Sequence, residues 1–185
     1  MQFDNVAAST MELTRSFGWD TNESFVQHDI QELNRVLQDN LENKMKGTIA
    51  EGAIRKLFTG KMQSFIKCTH VDFDSVRIED FYDLQLNVKN CRDLNASFRE
   101  YCARENLDGE NKYYAEGFGL QDATKGVIFT EFPPVLHLQL KRFEYDMERD
   151  ILVKINDRHE FADIIELDEF IDESVKKGLL VTDFS

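Results

Sequence analysis

The chain has 185 residues, 42% hydrophobic and 31% charged, with a formal net charge of −13. That length suits one compact domain, and the balance is that of a soluble globular chain. An acidic surface repels phosphate backbones, so nucleic acid is excluded as a partner and basic partners are favoured. No apolar run reaches the ~20 residues that span a bilayer, so no membrane association is expected. The N-terminal MQFDNVAAST lacks the basic and apolar regions of a secretory signal. Three scattered cysteines, Cys68, Cys91 and Cys102, do not form a disulfide framework, which points to a reducing compartment, nucleus and cytoplasm.

In chain order, the first clear element is a helix from about Ser24 to Lys46. Ser24 and Gln27 have capping-box spacing. Val26, Ile30, Leu33, Leu37 and Leu41 form one apolar stripe at helical spacing, and Gly47 is placed to end it. His28, Glu32 and Arg35 point away from that stripe, while Asp29 and Gln31 flank it. Leu57 to Cys68 reads as a strand entered through Gly60, and the polar stretch Thr69 to Asp80 reads as a long turn. From Phe81 to Val88, Tyr82, Leu84, Leu86 and Val88 alternate with polar residues as in a half-buried strand. A second helix is expected over Leu94–Glu105, with Leu94, Phe98, Tyr101 and Cys102 inward. Asp108-Gly109 and Gly117–Gly119 mark turns. After Pro133-Pro134, Leu136, Leu138 and Leu140 alternate with His137, Gln139 and Lys141. A link over Glu144–Arg149 then joins this stretch to Ile151–Ile155 as a hairpin. Segregated helical and strand periods indicate an α+β fold.

Local chemistry is sparse. A nucleophilic cysteine needs a helix N-terminus or an imidazole to depress its pKa. Cys102 falls late in its helix, Cys68 ends a strand, and Cys91 alone lies near a helix start. A structural zinc site wants two close ligand pairs, whereas Cys68 and His70 have no second pair, so no metal is expected. None of the four histidines sits in a nucleophile pattern, and His137 reads as a core histidine. No phosphate-binding or dinucleotide loop and no H-E-x-x-H string occurs, so no cofactor is expected.

An ordered series of short strings carries a more specific signal. The first are Ser16-Phe17-Gly18-Trp19, Gln27-His28-Asp29-Ile30-Gln31-Glu32-Leu33 and Leu57-Phe58-Thr59-Gly60. Phe81-Tyr82-Asp83-Leu84-Gln85-Leu86, Leu107-Asp108-Gly109 and Asn111-Lys112-Tyr113 follow. Pro133 to Phe143 (PPVLHLQLKRF) and Lys154-Ile155-Asn156-Asp157-Arg158 complete the series. Together they resemble the ubiquitin-specific protease family over about Leu13 to Glu173, leaving 174–185 as a divergent tail. The string Glu42-Asn43-Lys44-Met45-Lys46-Gly47 is similar to the branch of the herpesvirus-associated ubiquitin-specific protease.

The resemblance implies a papain-like cysteine protease fold of fingers, palm and thumb. It also implies thiol-dependent hydrolysis of the bond after the C-terminal Gly-Gly of ubiquitin, with ubiquitin and ubiquitinated proteins as partners. Neither the family's N-x-G-x-T-C-Y-type cysteine box nor its G-H-Y histidine box occurs in these residues. The expectation is therefore the middle portion of a deubiquitinase, incomplete at both ends, with no catalytic residue assignable and no activity of its own. The alternative is a non-catalytic ubiquitin-binding or partner-binding module on the same scaffold.

What carries over is a ubiquitin-holding surface. Asp29 and Gln31 match positions lining the channel for the ubiquitin tail, whose arginines suit a carboxylate; simple flanking of the helix stripe is the competing reading. His28 and Glu32 match nearby surface positions. Arg142, Phe143 and Tyr145 match the channel's palm edge and Lys154 its neighbour, with core packing the rival for Phe143. Many relatives carry two C-x-x-C zinc pairs. Here Cys68 stands at one of those positions, but Val71, Ala115 and Phe118 stand at the other three, and one ligand of four makes no site.

Overall fold

The computed structural model describes residues 9–16 and 30–173. The chain divides into two compact units, Met1–Lys56 and Leu57–Ser185, taken here in turn.

The first unit is helical. It holds α1 (Met11–Ser16), α2 (Ile30–Met45) and the start of α3 (Ala53–Phe58). The expected start of α2 at Ser24 lies outside the described residues. Its end is as expected: Gly47 adopts φ 73°, the left-handed region that favours glycine. The Thr48 amide and hydroxyl both donate to the Met45 carbonyl. The apolar stripe needs correction. Ile30 is 68% exposed, Leu37 and Leu41 are exposed too, and the best-covered residue of α2 is Gln38. Covered positions follow Gln31, Asn34, Gln38 and Glu42, also at helical spacing, while Glu32 and Arg35 face solvent as expected.

The second unit is built on a four-stranded antiparallel sheet ordered β2-β1-β7-β4. Its strands are β1 (Gly60–Cys68), β2 (Asp74–Phe81), β4 (Glu105–Leu107) and β7 (Ala123–Glu131). The expected long turn over Thr69–Asp80 is mostly strand, because Asp74 to Phe81 pair residue by residue with Lys67 to Gly60. β2 is an edge strand, and its Val76 and Ile78 lie in solvent, so it lacks the apolar inward face by which strands are read from sequence. β7 also escapes sequence reading, because Gly126 interrupts its pattern. That glycine faces Phe65 on β1, and a Cβ there would come within 2.7 Å of the ring. Arg104 covers the same ring at 5.7 Å.

One face of this sheet carries both apolar clusters. At one end, Phe129 meets Phe81 edge-on at 5.5 Å, Phe98 at 6.2 Å, Phe132 at 4.7 Å and Tyr101, stacked, at 5.8 Å. Leu84, Leu86 and Phe170 complete that core. At the other end, Cys68, Ala115 and Ala123 form a smaller one.

β3 (Leu84–Asn87) supplies Leu84 and Leu86 as the alternation foretells; Val88 is buried as well, while Tyr82 turns outward. β3 pairs in parallel with β8 (Leu138–Lys141), the expected leucine strand. Between them in sequence comes α4 (Leu94–Tyr101), where the Asp93 carboxylate accepts from the Ala96 amide. α4 stops four residues short of the expected Glu105, which begins β4. Phe98 is fully buried, and Leu94, Tyr101 and Cys102 pack around it as expected. β5 (Tyr113–Ala115) and β6 (Gly119–Gln121) form a small hairpin through the Gly117 turn. β9 (Phe143–Asp146) and β10 (Ile151–Lys154) form the late hairpin. Its turn is Met147–Asp150, shorter than the expected link, because Asp146 accepts from the amides of Glu148 and Arg149 and tightens it.

Candidate functional site

The β9–β10 hairpin gathers most of the described candidates. Phe143 and Tyr145 are two apart and share a face of β9. In register, Lys154 lies opposite Phe143 and Leu152 opposite Tyr145. Directly opposed residues share a face, so the four side chains form one patch. Phe143 is 58% exposed, Tyr145 52% and Leu152 64%, so the patch is apolar, open to solvent and edged by one cation. For Phe143 this exposure removes the core-packing reading. The Tyr145 hydroxyl donates to the Asp150 carboxylate, tying the ring to the turn. Leu152 is a surface residue that sequence reading missed. Its signal was the hairpin register, hidden while the turn was set too long.

The opposite face of the hairpin is tethered. Glu144 accepts from Lys89 at 2.6 Å, and this bond, with the charge behind it, raises the Lys89 pKa. Arg142, at the hairpin's root, is turned to its own backbone. Its Nη1 donates to the carbonyls of Asp157 at 2.7 Å and Ile155 at 3.5 Å, while the Ile155 amide donates to the Arg142 carbonyl at 2.7 Å. The arginine thereby ties together the two ends of the hairpin's root.

In the helical unit, Glu32 is exposed near the start of α2 and Gln31 is half-covered one residue before it. His28 and Asp29 lie outside the described residues.

Two of the cysteines, Cys91 and Cys102, are poorly placed as nucleophiles. Cys91 is buried, and its thiol donates to Glu100 at 3.3 Å; burial first, then that hydrogen bond, pushes its pKa up. Burial pushes Cys102 up to about 11. Both shifts run opposite to the depression a thiolate nucleophile needs.

The residues at the zinc-pair positions do meet in space. Cys68 and Ala115 are buried with Ala123, Val71 packs on them, and Phe118 meets Phe73 edge-on at 6.2 Å. The fold brings these positions together and fills the place with apolar groups.

The ubiquitin carboxyl-terminal hydrolase family matches this chain over residues 2–180. The chain belongs to that family. It is 59% identical over 180 residues to ubiquitin carboxyl-terminal hydrolase 15 of Saccharomyces cerevisiae, covering 97% of this chain and 15% of that protein. To ubiquitin C-terminal hydrolase 12 of Arabidopsis thaliana it is 61% identical over 168 residues, 91% of this chain and 15% of that protein. To ubiquitin carboxyl-terminal hydrolase 7 of Drosophila melanogaster it is 56% identical over 174 residues, 94% of this chain and 15% of that protein. The chain thus spans about 15% of the length of these hydrolases.

Proposed function

We propose that this chain is the middle portion of a deubiquitinase catalytic domain of the herpesvirus-associated branch, with a fingers, palm and thumb layout. Its part is to hold the C-terminal tail of ubiquitin on ubiquitinated proteins. The thiol-dependent hydrolysis belongs to the complete domain and not to these residues alone. The observation that carries the reading is the single exposed face shared by Phe143, Tyr145, Leu152 and Lys154. Aromatic rings present a rigid apolar wall to an extended tail. By the family resemblance, Asp29 and Gln31, with His28 and Glu32, serve the same task, a carboxylate being suited to the tail's arginines. Arg142 fixes the wall's position through Ile155 and Asp157. The elevated thiol pKa values of Cys91 and Cys102 speak against either of them as the attacking cysteine.

The test is ubiquitin titrated by calorimetry into the chain and into its Asp29→Ala and Tyr145→Ala variants, with tail-less ubiquitin as control. Loss of one charge-assisted contact is worth about 1.5–3 kcal/mol, so Asp29→Ala should weaken binding by about tenfold or more. Equal binding of tail-less ubiquitin, or no binding by a folded chain, overturns the reading.

A further inference from the structure

Below the hairpin lies a hydrogen-bond node to which no role has been given. Ser97 of α4 is fully buried. Its hydroxyl lies 2.6 Å from the Asn87 carbonyl at the end of β3, 3.3 Å from the Asp93 carbonyl and 3.0 Å from Nε2 of His159. A hydroxyl has one hydrogen to give. The shortest contact, to the Asn87 carbonyl, takes it, so Ser97 Oγ can only accept from His159. The imidazole therefore carries a proton on Nε2, which its neutral and its charged form both supply, so what acid changes is Nδ1. Its Nδ1 is buried and without a hydrogen-bond partner. A proton added there would be a buried N–H with no acceptor.

The charges around the ring oppose one another, and the like charge outweighs the opposite one. From the β8–β9 junction comes the Arg142 guanidinium, a like charge. From the α4 cap comes the Asp93 carboxylate, the weaker and opposite influence, which also accepts from the Ala96 amide. On the histidine's own segment, Arg158 and Glu160 pair with each other at 2.7 Å, and the Asp157 carboxylate lies 3.4 Å from the Asn90 amide. Arg92 meets the segment through its carbonyl, which accepts from the Glu160 amide. Cys91 is a neutral thiol.

We propose that the His159–Ser97 hydrogen bond is an acid-released latch that holds residues 155–160 against α4 and β3. The same segment supplies both carbonyls that Arg142 grips and the amide bonded to the Arg142 carbonyl. Release of the latch therefore loosens the root of the β9–β10 hairpin. Burial and the Arg142 charge lower the His159 pKa, in keeping with this geometry. The sign follows. A depressed histidine pKa means that the ordered segment binds the proton less readily than the released one. The latch is intact above the ordinary histidine pKa of about 6.5 and is lost as pH falls below it. The inference stands on the node alone and needs no ubiquitin.

The test is hydrogen exchange on the intact protein, corrected for intrinsic rates, at about pH 7.5 and about pH 5, values that bracket the ordinary histidine range. Protection of residues 155–160 should fall on acidification by up to about tenfold per pH unit, the limit for one proton, while β1 and β7 stay protected. His159→Phe, which cannot charge, should abolish that acid dependence. Ser97→Ala should expose the segment already at neutral pH. If Ser97→Ala instead unfolds β1 and β7, His159→Phe alone decides. A wild-type segment equally protected at both pH values overturns the latch. So does a His159→Phe protein that loses protection as the wild type does, or a folded Ser97→Ala protein that exchanges like the wild type.

Discussion

Replacing Gly60 by alanine tests whether the packing at the head of β1 is as tight as it looks. Gly60 does not have positive φ, so backbone freedom does not explain it. A Cβ there would lie 2.3 Å from Phe81 Cζ, 2.6 Å from Phe81 Cε1 and 2.8 Å from the Glu131 carbonyl oxygen. The Phe81 ring cannot simply swing away, because it is buried and edge-on to Phe129 at 5.5 Å and Phe132 at 6.4 Å. The carbonyl is backbone and cannot swing at all. Overpacking of this kind costs about 1–3 kcal/mol, offset by about 0.5–1 kcal/mol from removing a strand glycine. With a net cost of about 0.5–2 kcal/mol and a urea slope of about 2 kcal/mol/M, the midpoint should fall by roughly 0.25–1 M at an unchanged slope. Phe81→Leu removes the clashing ring edge, so the double variant should be less destabilised than the sum of the singles by about 0.5 kcal/mol or more. An unchanged or raised midpoint for Gly60→Ala refutes the reasoning, and strict additivity refutes the identity of the clash.

Four further outcomes are expected. Asp93→Ala removes the α4 cap and should cost about 1 kcal/mol, read from the same urea curves. Phe129→Ala opens a hole at the meeting point of four rings and should cost about 3–5 kcal/mol, a large share of the roughly 5–15 kcal/mol that holds a domain folded. Iodoacetamide at about pH 8 should leave Cys91 and Cys102 unmodified by mass spectrometry until denaturant is added, because both thiols are raised away from the ordinary value near 8.5. Excess chelator should leave the melting curve where it is, whereas a zinc-built fold would collapse.

The fold was legible where burial and periodicity coincide. Leu84, Leu86 and Val88 alternate and are buried, and Phe98 leads the inward face of a helix that packs on the same core. Elements held by backbone pairing alone were not legible. β2 owes its existence to residue-by-residue pairing with β1, and its exposed Val76 and Ile78 give no inward signal. In β7 the glycine that breaks the pattern is the one that admits the Phe65 ring. The stripe of α2 shows the converse case. Its period was right, but period does not say which side is covered, and the covered side is the polar one through Gln38.

The candidate site shows how much hangs on one turn. Sequence spacing alone puts Phe143 and Tyr145 on one side of a strand, since they are two apart. It does not place Lys154, whose partner depends on where the hairpin reverses. A link over Glu144–Arg149 would set Phe143 opposite Asp150 and Lys154 opposite Gln139. The turn observed, tightened by Asp146, sets Phe143 opposite Lys154 and brings Leu152 beside Tyr145. A carboxylate accepting two turn amides thus decides which side chains share the exposed face. The zinc-pair positions teach the same lesson from the other side. Cys68 and Val71 are three apart, but Ala115 is distant in sequence and joins them where β1 and β7 pair Cys68 with Ala123. Convergence is a property of the register, and the residue types then determine whether the place holds a metal or a small apolar core. Here one thiol among apolar side chains gives cohesion by burial.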